Sequence, residues 1–90
     1  MSVEVRIPTV LRTYTGGQKA VHGNGATLQE VLEDIDARNP GLKGRIVEAE
    51  ALRRFVNVYV NDEDVRFSGG LNAATTDGDV VVVLPAVAGG

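Results

Sequence analysis

The sequence has no cysteine, no tryptophan and a single histidine in 90 residues. Without a thiol there is no disulfide, no thiolate metal site and no cysteine nucleophile, and that absence leaves the compartment open. The lone His22 has no cysteine to activate and no second imidazole to share a metal with, so it reads as an exposed strand residue rather than a base or a ligand. Two tyrosines and two phenylalanines, scattered along the chain, do not build a base-stacking platform. Nine basic residues against twelve acidic ones leave a net charge of -3, and Arg53–Arg54 is the only adjacent basic pair. Phosphate backbones are held by basic clusters, so nucleic acid is excluded as the main partner. The longest apolar run, Val80 to Ala88 with its proline counted, falls well short of the roughly 20 residues that span a bilayer. The opening MSVEVRIPTV has no basic segment leading into an apolar one, so no secretory signal is expected. These absences predict a cytoplasmic protein, monomeric alone, with neither a membrane nor a nucleic acid as partner.

What is present is pattern. Val3, Val5 and Ile7 alternate with Glu4 and Arg6, the period of a half-buried strand that Pro8 closes. Thr15 to Gln18, TGGQ, reads as a turn, and Gln18 to His22 as a returning strand. Thr27 and Glu30 have capping-box spacing, and Leu28, Val31, Leu32 and Ile35 then fall on one helical stripe. Asn39-Pro40-Gly41 stops that helix. Residues 42–52 fit a helical turn followed by a loop, without a firm assignment. Arg54 to Val60 is β-branched and aromatic, Asn61 to Asp64 is a polar turn, and Val65 to Phe67 reads as a short returning strand. Asp77-Gly78-Asp79 is a turn before Val80 to Leu84, a strand apolar on both faces and hence central in its sheet. One main helix with a mixed four- or five-stranded sheet is a two-layer α+β domain. With both terminal strands apolar enough for the middle of the sheet, the pattern is a β-grasp, or ubiquitin-like, fold. Residues 1–84 form that domain and residues 85–90 a C-terminal tail.

No catalytic constellation emerges. Asp62, Glu63 and Asp64 lack the glycine and distal glutamate of a calcium loop, and Asp77 and Asp79 are equally explained as a solvated turn. The TGG and SGG stretches do not match a phosphate-binding loop. No nucleophile, base and oxyanion donor come together, so the chain is not expected to be an enzyme, to bind a metal or to hold a cofactor. The tail is the distinctive feature. Pro85, Ala86, Val87, Ala88, Gly89 and Gly90 follow the last strand directly, and six extended residues reach about 20 Å. Glycine has no Cβ, so a terminal pair enters a channel too narrow for other residues. Phe55, Tyr59, Phe67 and the outward residues of the last strand, Leu84 among them, are candidates for a partner-docking face turned away from the helix, because uncovered apolar sheet faces mark interfaces. The alternative is that they fill a second small cluster within the domain.

The stretch DGDVVVVLPAVAGG, Asp77 to Gly90, resembles the end of the ThiS/MoaD family of ubiquitin-like sulfur carriers, which closes with an acidic-glycine turn, an apolar strand, a proline and Gly-Gly. FVNVYVNDEDVRFSGGL, Phe55 to Leu71, and IPTVLRTYTGGQK, Ile7 to Lys19, are similar to the hairpins of the CysO-type carriers of cysteine biosynthesis. Ala86 stands where many molybdopterin-type members have a second proline, which favours the CysO-type branch. The resemblance implies that a ubiquitin-activating-like enzyme adenylates the Gly90 carboxylate with ATP, and that a sulfur donor then converts it to a thiocarboxylate. It also implies a sulfur-accepting synthase, either cysteine-synthase-like or of a thiazole, molybdopterin or thio-sugar pathway, and a metalloprotease-type hydrolase that releases the product. Two other uses of the same fold are a ubiquitin-like modifier joined to lysines, and a non-covalent β-grasp interaction module.

Overall fold

The period-two pattern at the start of the chain folds as β1 (Val3–Arg6), with Val3 and Val5 fully buried. A computed structural model describes residues 2–49, 51–54 and 56–85. After Pro8 the chain does not turn at once. Thr9–Thr15 forms a 3-10 helix that ends on Gly16, whose φ of 64° is cheap only for a residue without a Cβ. The return strand β2 (Ala20–Gly23) pairs antiparallel with β1. The expected turn is therefore present, but a helical segment stands between it and the first strand.

Helix α1 (Leu28–Arg38) starts on Thr27, whose hydroxyl accepts the Glu30 amide at 3.3 Å. Glu30 reaches back one residue further than a standard capping box and accepts the Ala26 amide at 2.9 Å. The stripe of Leu28, Val31, Leu32 and Ile35 is fully buried. At the other end the Asn39 side chain donates to the Ile35 carbonyl at 3.0 Å and closes the helix. Residues 42–52 resolve into a one-turn helix α2 (Leu42–Ile46) and a two-residue hairpin of β3 (Val47–Glu48) and β4 (Ala51–Leu52). Leu42 and Ile46, four apart, point into the core.

The strand expected from Arg54 begins at Val56: β5 (Val56–Val60). The polar turn is shorter than expected. Asn61 and Asp62 take left-handed conformations, φ 50° and 70°, as two-residue hairpins require, and β6 (Glu63–Asp64) already pairs back with β5. Val65–Phe67 is a 3-10 turn and not the short strand that the pattern suggested. The reason is local: the Asp64 carboxylate accepts the Arg66 amide at 2.9 Å and bends the chain away from the ladder. A further 3-10 turn, Gly70–Asn72, leads to the last strand, β7 (Val80–Pro85).

The sheet order is β2-β1-β7-β5-β6. β1 and β7 run parallel at its centre, and β5 pairs antiparallel with β7. Val81 and Val83 of β7, Val58 of β5, Val3 and Val5 of β1 and the α1 stripe form one buried cluster. This is the five-stranded form of the β-grasp, with helices on one face of a mixed sheet. Leu32 lies in the middle of the helical stripe. Leu32→Ala should cost about 2–5 kcal/mol in denaturant unfolding, because the cavity it leaves is walled by strands that cannot collapse onto it.

Candidate functional site

Side chains alternate along β7. Val81 and Val83 face the helices and are buried, so Val80, Val82 and Leu84 face the opposite side of the sheet. The register gives this outer face its neighbours. Val82 lies between Arg6 of β1 and Tyr59 of β5, Leu84 opposite Asn57, and Val80 opposite Glu4. On the far side of β1, Glu4 faces the exposed His22. A short apolar stripe thus runs down the central strand between polar flanks. Leu84 is 45 % exposed.

Of the residues expected in a docking face, Tyr59 and Leu84 sit on adjacent strands of this outer face. Phe67 does not stand on a strand. It projects from the 3-10 turn beyond the edge strand, 87 % exposed. Phe55 lies outside the described residues, as do Ala86, Val87, Ala88, Gly89 and Gly90. Pro85 is described and is exposed as the last residue of β7, opposite Val56, so the strand runs one residue past Leu84. The pairing of β1 with β7 stops at Val82, and Pro85 has no amide proton to withhold from a ladder on that side.

Pro85, the last described residue of β7, lines a groove that the sequence did not foreshadow. It holds about 420 Å³, and its lining includes Arg6, Val10, Arg12, Lys19 and Leu84. Val10, on the 3-10 helix after β1, is 68 % exposed. Arg12 is held in place by a hydrogen bond from Nε to the Ile7 carbonyl at 3.1 Å. Arg6 is half committed to Glu4, 2.8 Å away, and that guanidinium is the main reason the Glu4 carboxyl titrates below its ordinary value. Across the strand, Arg66 donates to the carbonyl of Val56, the residue opposite Pro85, at 2.6 Å. Arg6, Arg12 and Lys19 come from one β1–β2 segment, and the pairing of β1 with β7 sets them beside Pro85, while Arg66 is distant in sequence. The one available signal was Val10, an apolar residue with no periodic partner.

The other end of β7 is clamped. The Asn61 side chain donates to Asp79 at 2.9 Å and accepts the Val80 amide at 3.0 Å, while its own amide donates to the Val80 carbonyl. Asp79 also accepts the Thr76 amide at 2.9 Å. The Asn61 hydrogen bond, then the Thr76 amide, hold the Asp79 carboxyl below the usual range. Asp77 accepts the Ser2 amide at 2.7 Å, so both acids of the Asp-Gly-Asp turn serve to fix the two central strands.

The family model for the ThiS family matches residues 5–90. The chain belongs to the ThiS family. It is 56% identical to the sulfur carrier protein CysO of Mycobacterium tuberculosis (strain ATCC 25618 / H37Rv) over 93 aligned positions covering all of both chains. It is 37% identical, again over all of both chains, to the small archaeal modifier protein 3 of Haloferax volcanii. A chain of the crystal structure of the Amycolatopsis orientalis BexX/CysO complex superposes with a TM-score of 0.94 at 60% identity, covering 98% of this chain and 99% of that one. Both the family and the β-grasp fold expected from the residues are thereby established. Among the described residues no helix is long and apolar enough to cross a membrane.

Asp34, on α1, accepts from Arg38 at 3.1 Å and from the Asn24 amide at 2.8 Å, which lower its pKa, and together with the lowered values of Asp79 and Glu4 this fixes the sign of the acid response. A carboxyl depressed on folding contributes stability above its unfolded pKa and loses it as pH falls through the folded one. The melting temperature should therefore hold from pH 7 to about 5 and fall below about pH 4. Asp79→Ala should melt lower at pH 7 and show a smaller acid-induced drop than the unaltered chain.

Proposed function

We propose that this ThiS-family chain is a sulfur carrier whose working group is the C-terminal carboxylate of Gly90, and that its folded body is a handle rather than a catalyst. The observation that carries the reading is the place of β7 in the sheet, just ahead of the Gly-Gly stretch in sequence. The central strand, paired with β1 on one side and β5 on the other, brings an exposed Pro85 to its end, and the sequence continues as Ala-Val-Ala-Gly-Gly. The full-length likeness to a protein named as a sulfur carrier supports the same reading.

The chemistry follows from the group. An α-carboxyl has a pKa of about 3.5 and is an anion at neutral pH, a poor electrophile. An activating enzyme of the ubiquitin-activating class supplies ATP. A carboxylate oxygen attacks the α-phosphorus, pyrophosphate leaves, and the acyl group becomes a mixed anhydride with AMP. Sulfide, or a persulfide, attacks the carbonyl carbon and AMP departs, leaving a thiocarboxylate on Gly90; a persulfide route also requires a thiol to cleave the S–S bond. The sulfur is then nucleophilic and attacks an electrophile held by a synthase. The CysO likeness favours a cysteine-forming synthase followed by a hydrolase that frees the product. The sheet face bearing Tyr59 and Leu84, with Phe67 beside it, is the surface these enzymes read. Pro85 to Gly89 enter their channels, where Gly89 passes a constriction that a Cβ would block.

A second use has an observation in its favour: one full-length relative is named as a modifier. Both uses start from the same adenylate and part at the nucleophile, sulfide in one and a lysine amine in the other. Intact mass spectrometry separates them. With ATP, sulfide and an activating enzyme of this class, the unaltered chain should gain the mass of one oxygen exchanged for sulfur. Gly89→Ala and a chain lacking Gly90 should gain nothing while melting at the same temperature. Conjugates of higher mass in place of the thiocarboxylate would favour the modifier, and no change in the unaltered chain would remove the carrier reading.

A further inference from the structure

Once activated, the Gly90 carboxyl is an electrophile, and amines of the same chain compete with sulfide for it. The sequence carries seven arginines and only two lysines, Lys19 and Lys43. A guanidinium stays protonated at any working pH, so the arginines add charge without adding a nucleophile. The two lysines differ in setting. Lys43, on α2 in the helical layer, is bonded to Glu33 at 3.3 Å. Lys19 is exposed, its side chain has no hydrogen bond or ion pair among the described residues, and it lines the same groove as Pro85. Its backbone is fixed, because the Lys19 carbonyl accepts the Ile7 amide at 2.8 Å. The start of the chain lies at the other end of β7, where the Ser2 amide donates to Asp77. Of the two lysines, only Lys19 shares the groove with Pro85.

We infer that Lys19 is an internal acceptor for the activated terminus, and that an acyl-adenylate not captured by sulfide closes onto it as a lactam. The inference rests on the carrier reading above. The Nζ lone pair attacks the Gly90 carbonyl carbon, the bond from that carbon to the AMP oxygen breaks, AMP leaves and a proton passes to solvent. An amide remains, and over activation and closure the chain has lost one water. The five residues after Pro85 span at most about 18 Å when extended, ample for a group that already shares a groove with Pro85. Groups joined by so short a connection meet at an effective concentration on the order of mM, well above that of a second copy in an assay. Closure therefore outruns conjugation between copies. It belongs to the adenylate that has slipped from the activating enzyme, because a tail held in a channel is drawn away from its own body. A carrier closed in this way has no carboxylate left to adenylate and takes up no sulfur until the amide is hydrolysed.

The experiment activates the full chain with ATP and an enzyme of the ubiquitin-activating class, omits sulfide, and follows pyrophosphate release and intact mass. The unaltered chain should lose the mass of one water, and tandem mass spectrometry should place the new amide between Gly90 and Lys19. Lys19→Arg, which keeps the charge and removes the amine, should show no such loss. Lys43→Arg should lose water as the unaltered chain does. Added sulfide should replace the lactam with the thiocarboxylate. An ammonium attacks nothing until it sheds a proton, so the lactam yield should rise with pH. A second arm needs no enzyme: a water-soluble carbodiimide activates carboxyls directly and should join Gly90 to Lys19, with the Glu33–Lys43 pair as internal reference. Pyrophosphate release without loss of water, a lactam that survives Lys19→Arg, or a carbodiimide link at Glu33–Lys43 alone overturns Lys19 as acceptor and leaves the carrier reading standing. An unaltered chain that releases no pyrophosphate overturns both.

Discussion

The pairing on which the molecule depends is the parallel ladder between its first and last strands. β1 and β7 are far apart in sequence and adjacent at the centre of the sheet, with Glu4, Arg6 and Val5 in register with Val80, Val82 and Val81. The Glu4 amide donates to the Asp79 carbonyl at 3.0 Å, and the Ser2 amide and carbonyl bind Asp77 and Gly78. Only this ladder makes β7 an interior strand. Without it the last strand would be an edge, free to fray, and the tail would have no fixed point of departure. Burial reinforces the ladder, since Val81 and Val83 on the inner side pack into the same cluster as the α1 stripe.

From that arrangement the functional features follow by register. A central strand apolar on both sides must show its second set of side chains somewhere, and here Val80, Val82 and Leu84 form the outer stripe. The strands beside it bring polar and charged residues: Glu4 and Arg6 from one, Asn57 and Tyr59 from the other. The 3-10 helix after β1 supplies Val10 and Arg12, and the residue before β2 supplies Lys19, at the Pro85 end of β7. The body thus fixes the position of Pro85, the last described residue before the tail, and the charges around it. Small size is enough for that task.

Much of this was legible in the residues. The alternation of Val3, Val5 and Ile7, the stripe from Leu28 to Ile35 and the two-sided apolarity of Val80 to Leu84 each have one physical solution, and each folds accordingly. What escaped was decided by side chains bonding to local backbone, or by strands meeting at long range. Val65–Phe67 has strand composition, but the Asp64 carboxylate caps a 3-10 turn there. Residues 42–52 were legible as a helical turn, which α2 is, but two-residue strands are too short for their pattern to register, so the β3–β4 hairpin reads as a loop. Of the residues read as a candidate docking face, Tyr59 and Leu84 share the outer sheet face through register, while Phe67 stands off it on a turn. The cationic groove was beyond reach, because Arg6, Arg12 and Lys19 surround the tail root only once β1 is known to lie against β7.

Native-state amide hydrogen exchange tests the central claim most directly, because it reads whether the last strand is held as firmly as its place in the sheet requires. The account predicts that the amides of Val81 and Val83 exchange only through global unfolding, with the same free energy as those of Val5 and Val58. Exchange of the β7 amides at a markedly lower free energy than the rest of the core would contradict it, since the tail would then be carried on a loose strand and not displayed by a fixed one.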